Sequence, residues 1–222
     1  MKQVPPFVWV VIVLILLVAG SQLTPTIRQA SDLSRLANPD SDLYKERSYS
    51  WKIEVLATKL EIPWDLAILP DTSLLITERT GAVKRFDGEA VTTVAAIPVA
   101  TVSESGLTGI ALHPDFGQNG YIYLYFTYRR GGELKNKVVR YTYTNQTLVE
   151  DRVILDNLAA GQIHNGGRLR FGPDEKLYVL TGDAARPALS QQPSQLEGKI
   201  LRMNDDGSVP TDNPTPGSLV YT

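Results

Sequence analysis

The sequence predicts an all-β protein and, within that class, a β-propeller, in which small antiparallel sheets stand like blades around a channel. Three observations carry the prediction. An apolar strand, a Pro-Asp turn and a second apolar strand recur, with the turns at Pro70, Pro114 and Pro173. Their spacings of 44 and 59 residues are of the order of the roughly 40–50 residues that a four-stranded blade uses. The chain is also rich in turn formers, with 17 Gly and 14 Pro among 222 residues. Asp87-Gly88 and Asp206-Gly207 fall between short apolar runs, as hairpin turns do.

The N-terminus reads as a hydrophobic helix. No charge follows Lys2 until Arg28, and Phe7 to Ala19 is continuously apolar. Those 13 residues are fewer than the roughly 20 of a membrane span and match the apolar region of a secretory signal. The wider uncharged window, Gln3 to Ile27, equally fits a retained membrane anchor over residues 4–23. A cleaved signal over 1–23 and an anchor both stay open, and both put the rest of the chain in the periplasm or outside the cell. Residues 24–50 are polar, with Pro25 and Pro39, and read as a linker. The folded region is expected to run over 51–222.

Within it, the first unit is Ala67 to Asp71 followed by Leu74 to Thr77. The second is Ala111 to Phe116 followed by the alternating Tyr121 to Tyr128, a pattern of sheet packing. The third is Leu169 to Asp174 followed by Leu177 to Thr181. Further strands fit at Val83–Phe86, Val138–Tyr143, Val153–Leu155 and Gly198–Met203. Val220-Tyr221-Thr222 reads as the middle of a strand. The region holds three to four blades, so the chain is expected to be the front part of a longer protein.

Composition excludes several functions. The formal net charge is −2, which offers no basic footprint for nucleic acid. Cysteine is absent, so thiol catalysis, disulfides and zinc-thiolate sites are ruled out. Asn204-Asp205-Asp206-Gly207 looks like part of a calcium loop, but Arg202 stands where the first acidic ligand belongs, and no metal site is predicted.

The innermost strand of each blade lines the channel, so equivalent positions before each Pro-Asp turn should share one rim. Counting back nine or ten residues gives Glu61, then Glu104 with Ser105, then Ile163 with His164. His164 lies in the turn Gly161 to Gly167, where glycines let a ligand approach the backbone closely. An imidazole, with an unperturbed pKa near 6.5, is a candidate general base there. His113, beside Pro114, reads as a structural turn residue, and Glu61 as a solvated loop acid. Asp183 follows Thr181-Gly182 at a strand end, where capping a loop and serving the site are both open.

Ordered motifs add a family resemblance. Pro63-Trp64, Leu69-Pro70-Asp71, Leu75 to Arg79, Glu104 to Phe116, His164 to Asp174, Gly182-Asp183-Ala184, Gly198 to Arg202 and Asp206-Gly207 to Pro214 resemble the soluble quinoprotein glucose/sorbosone dehydrogenases. The resemblance implies a six-bladed propeller that binds pyrroloquinoline quinone and oxidises the anomeric hydroxyl of an aldose to the lactone, passing electrons to an acceptor. It makes His164 the general base and puts Glu104, Arg168 and Asp183 in cofactor-binding positions. The family's calcium ligands and cofactor-clamping Lys and Arg residues are implied for later blades, beyond this chain. Ile163 departs from relatives that carry an acid beside the base. A non-catalytic propeller that binds a carbohydrate or a protein is the alternative. A calcium lactonase would need a ring of Glu, Asn and Asp ligands that the rim lacks.

Overall fold

Alternating strands and Pro-Asp turns build three antiparallel sheets in sequence order. The structure, a computed structural model, describes residues 54–222. The expected hydrophobic helix, signal or anchor and polar linker lie outside the described residues. Among those described, no helix is long and apolar enough to cross a membrane.

Blade 1 contains β1 (Pro63–Ile68), β2 (Leu74–Glu78), β3 (Ala82–Phe86) and β4 (Val91–Ala96), paired in that order. Blade 2 contains β5 (Leu107–Leu112), β6 (Tyr121–Arg130), β7 (Glu133–Thr144) and β8 (Thr147–Ala159). Blade 3 contains β9 (Gly166–Phe171), β10 (Leu177–Thr181) and β11 (Ile200–Met203). Val220 bridges to Leu201 beside β11, so the last residues occupy the fourth position of that blade. These are three blades of a β-propeller, at the lower end of the expected three to four.

The Pro-Asp turns close for a local reason. Asp71 accepts hydrogen bonds from the Ser73 N–H at 3.1 Å and the Ser73 hydroxyl at 2.5 Å, a side-chain turn that aspartate forms readily. Those bonds hold its carboxyl below the usual carboxylate range. In blade 3 partial burial of Asp174 opposes its charge, but hydrogen bonds from Arg202 and Tyr178 outweigh that and lower its pKa. The second turn continues into a short helix, Phe116–Asn119, which stops at Gly120 in the left-handed conformation.

Strand β6 shows why blades stack. Ile122, Leu124 and Phe126 join the core between blades 1 and 2, whereas Tyr123 and Tyr125 join the core between blades 2 and 3. A period of two thus buries both faces of one strand. Each fully buried large side chain contributes roughly 1.5–3 kcal/mol.

The innermost strands meet side by side, with β5 between β1 and β9. The Thr77 hydroxyl donates to the Thr108 carbonyl at 2.6 Å, linking blade 1 to β5. A Cβ at Gly109 would lie 1.9 Å from the Gly167 carbonyl oxygen, so only glycine allows β5 and β9 to approach this closely.

Candidate functional site

The loop between β8 and β9 presents His164, and Asn165 sets the loop. Buried Asn165 accepts the Gly161 N–H at 3.0 Å through Oδ1 and donates to the Gly161 carbonyl at 2.9 Å. The hydroxyl of Tyr125 donates to the Asn165 carbonyl at 2.9 Å. Full burial raises the pKa of that phenol, so it stays a neutral donor. Asn136, also buried, donates to Asn165 Oδ1 at 3.2 Å. The loop is therefore tied to two strands of blade 2 as well as to its own blade.

His164 sits on this frame in the left-handed region, with φ +58. Its N–H donates to Glu104 Oε2 at 2.8 Å. Its carbonyl accepts from the Ala184 N–H at 3.0 Å. Its Nδ1 lies 3.1 Å from Asp183 Oδ1, and the side chain remains 57% exposed. A carboxylate can only accept, so Asp183 assigns the proton to Nδ1 and leaves Nε2 as the basic nitrogen of the neutral ring. An exposed imidazole oriented by an acid can take a proton from a bound hydroxyl.

The two partners are presented differently. Glu104 ends a turn whose buried Ser105 accepts the Val102 N–H at 2.7 Å and donates to the Ala100 carbonyl at 2.9 Å. Asp183 follows Gly182, where a Cβ would come within 1.8 Å of the His164 carbonyl oxygen. Ala184 and Ala185 then both take positive φ, at +51 and +61. The same Asp183 Oδ1 accepts the Ala185 N–H at 2.9 Å, so this acid caps its loop and orients the histidine together.

Arg168 points into a different cluster. Its guanidinium lies 4.5 Å above the Trp64 ring and 2.5 Å from Asp65 Oδ1, and its side chain remains 42% exposed. Arg170, two residues on, pairs with both oxygens of Asp65 at 3.0 and 3.1 Å. Asp65 also accepts the Ile110 N–H at 3.3 Å, so one buried carboxylate joins β1, β5 and β9. Sequence reasoning did not single out Asp65. The only available signal was an acid inside an otherwise apolar inner strand.

Of the three rim positions, the structure joins two. Glu61 contributes a backbone N–H, which donates to Glu78 Oε1 at 2.7 Å. Glu78 is buried at the end of β2 and was likewise not anticipated. Ile163 is partly exposed beside the base. His113 packs edge-on against Phe171 and accepts the Asp115 N–H at 2.9 Å, as a turn residue.

Beside His164 lies a shallow depression of about 530 Å³, lined by Thr181, Asp183, Ser190, Lys199 and Ile200. The ammonium of Lys199 donates to the carbonyls of Leu189, Ser190 and Glu197 at 2.8–3.1 Å. Among the described residues, no group of three or more His, Cys, Asp or Glu side chains is placed to hold a metal ion.

Comparison with known proteins identifies the family of the chain. The family model described as Glucose / Sorbosone dehydrogenase matches residues 60–219. Quinoprotein glucose dehydrogenase B of Acinetobacter calcoaceticus is 34% identical over 213 residues, covering 81% of this chain and 45% of that protein. A putative oxidoreductase (glucose dehydrogenase) of Thermus thermophilus superposes with a TM-score of 0.72 at 43% identity, over 76% of this chain and 52% of that one. The PQQ-bound form of aldose sugar dehydrogenase from Streptomyces coelicolor superposes with a TM-score of 0.71 at 38% identity, with the same coverages of 76% and 52%. The chain thus spans about half the length of each of these three proteins.

Proposed function

The chain belongs to the glucose/sorbosone dehydrogenase family, and from that premise we propose that the whole protein is a quinoprotein sugar dehydrogenase that oxidises the anomeric hydroxyl of an aldose to the lactone. The observation that carries the reading is the exposed imidazole of His164, held 3.1 Å from Asp183 with its N–H on Glu104.

In this reading His164 Nε2 takes the hydroxyl proton as the anomeric C–H bond breaks. Asp183 keeps the ring in the reactive tautomer and stabilises the imidazolium that forms. When bound, pyrroloquinoline quinone supplies the acceptor for the hydride. The residues present fit such a group in part. Arg168 is a half-exposed cation able to hold a carboxylate, and Glu104 flanks the base. Calcium and the remaining clamping residues would come from later blades. Reoxidation would require an electron acceptor, and export, with residues 1–23 as a signal or residues 4–23 as an anchor, belongs to the same proposal.

The test is an assay of the full-length protein supplied with pyrroloquinoline quinone, a panel of aldoses and an artificial electron acceptor. Quinone-dependent acceptor reduction with release of lactone is expected. Reduction no faster than in quinone-free protein for every aldose would contradict the proposal.

A further inference from the structure

We propose that Glu104 is a positioning residue, which fixes the direction of the His164 imidazole by gripping the main chain of the histidine from the neighbouring blade. The inference rests on the reading of His164 as base.

A residue with a Cβ is strained in the left-handed conformation, where the Cβ crowds the following carbonyl oxygen. Such a conformation persists only where its surroundings over-determine it. His164, at φ +58, has three holds. Two come from its own blade, the Ala184 N–H on its carbonyl at 3.0 Å and Asp183 on its ring at 3.1 Å. The third is Glu104, from the loop before β5 in blade 2. Its carboxylate accepts the His164 N–H at 2.8 Å.

Glu104 grips the loop at two points. Its own N–H donates to the Gln162 carbonyl at 2.9 Å while its side chain takes the N–H two residues later. The reciprocal pair resists both sliding and rotation of the peptide plane that enters His164. A hydrogen bond to an ionised acceptor is about twice as strong as a neutral one. On the other side of the histidine there is no slack, because a Cβ at Gly182 would already lie 1.8 Å from its carbonyl oxygen. The remaining freedom is rotation about the N-terminal side, which Glu104 removes. That rotation would swing the Cα–Cβ bond and the ring with it, and a displacement of about 1 Å can cost about a hundredfold in rate.

The test compares Glu104→Gln, whose amide oxygen still accepts, with Glu104→Ala, which offers no acceptor. Hydrogen exchange of the His164 amide and the ring Nδ1–H signal are read by NMR on the full-length protein. The catalytic constants kcat and KM are read on the full-length quinone-loaded protein. Glu104 is exposed, so neither variant is expected to unfold the chain. Glu104→Gln is expected to keep amide protection, whereas Glu104→Ala loses protection at least about tenfold and has a kcat about 10–100-fold below that of the glutamine variant at nearly constant aldose KM. Unchanged His164 protection in Glu104→Ala would overturn the proposal, as would lost protection with unchanged kcat. So would a glutamine variant as impaired as the alanine one. Amide exchange decides whether the grip exists, and His164→Ala separately decides whether the gripped residue is the base.

Discussion

Replacing His164 by alanine is expected to lower aldose oxidation by the full-length quinone-loaded protein about 10²–10⁴-fold, the usual contribution of a positioned general base. The expectation follows from the geometry around one ring. Asp183, 3.1 Å from Nδ1, fixes the tautomer, and the 57% exposure of the side chain leaves the ring accessible to a bound sugar. Alanine is smaller, and the backbone at this position is already held at both its N–H and its carbonyl. The loss should therefore fall on kcat rather than on folding. A turnover within about threefold of the unmodified protein would remove His164 from the role of base.

Asp65→Ala is expected to have the largest effect on stability. The carboxylate is buried, and it receives Arg168 at 2.5 Å, Arg170 at 3.0 and 3.1 Å and the Ile110 N–H at 3.3 Å. Deleting one partner of a buried ion pair costs about 3–5 kcal/mol, because the other charge is left uncompensated. Here both guanidinium groups remain about half exposed, so water relieves part of that penalty. A loss of about 3 kcal/mol is expected in denaturant unfolding, with Asp65→Asn losing less because an acceptor oxygen remains. A loss below about 0.5 kcal/mol for the alanine variant would show that Asp65 does not clasp the three blades.

The blades were legible because each local signal agreed with the next. Pro-Asp turns carry their own hydrogen bonds, and Tyr121 to Tyr128 alternates between two cores as its period of two requires. The same repeat put Glu104 and His164 on one rim, and the structure joins them although 60 residues separate them. At Glu61 the backbone N–H is captured by Glu78 and the side chain is exposed, as expected of a solvated loop acid. Asp183 was placed at the site by resemblance as a cofactor residue. The structure hydrogen-bonds its carboxylate directly to the His164 ring, and the loop that follows turns on two alanines with positive φ, a conformation that alanine does not advertise. Alternation makes Arg168 and Arg170 the polar face of a strand, and the resemblance adds a cofactor position for Arg168, but neither signal names a partner. That partner, Asp65, lies 105 residues before Arg170, across two blade interfaces, and no spacing rule reaches that far. The hydrophobic N-terminus gave a clear sequence signal, which concerns residues outside those described.

The most direct measurement is the crystal structure of the full-length protein with pyrroloquinoline quinone and an aldose bound. The expected result is His164 Nε2 within hydrogen-bond reach, about 3 Å, of the anomeric hydroxyl, with Nδ1 still on Asp183 and the N–H still on Glu104. An imidazole turned away from the sugar, or an anomeric hydroxyl bound by a different base, would contradict it.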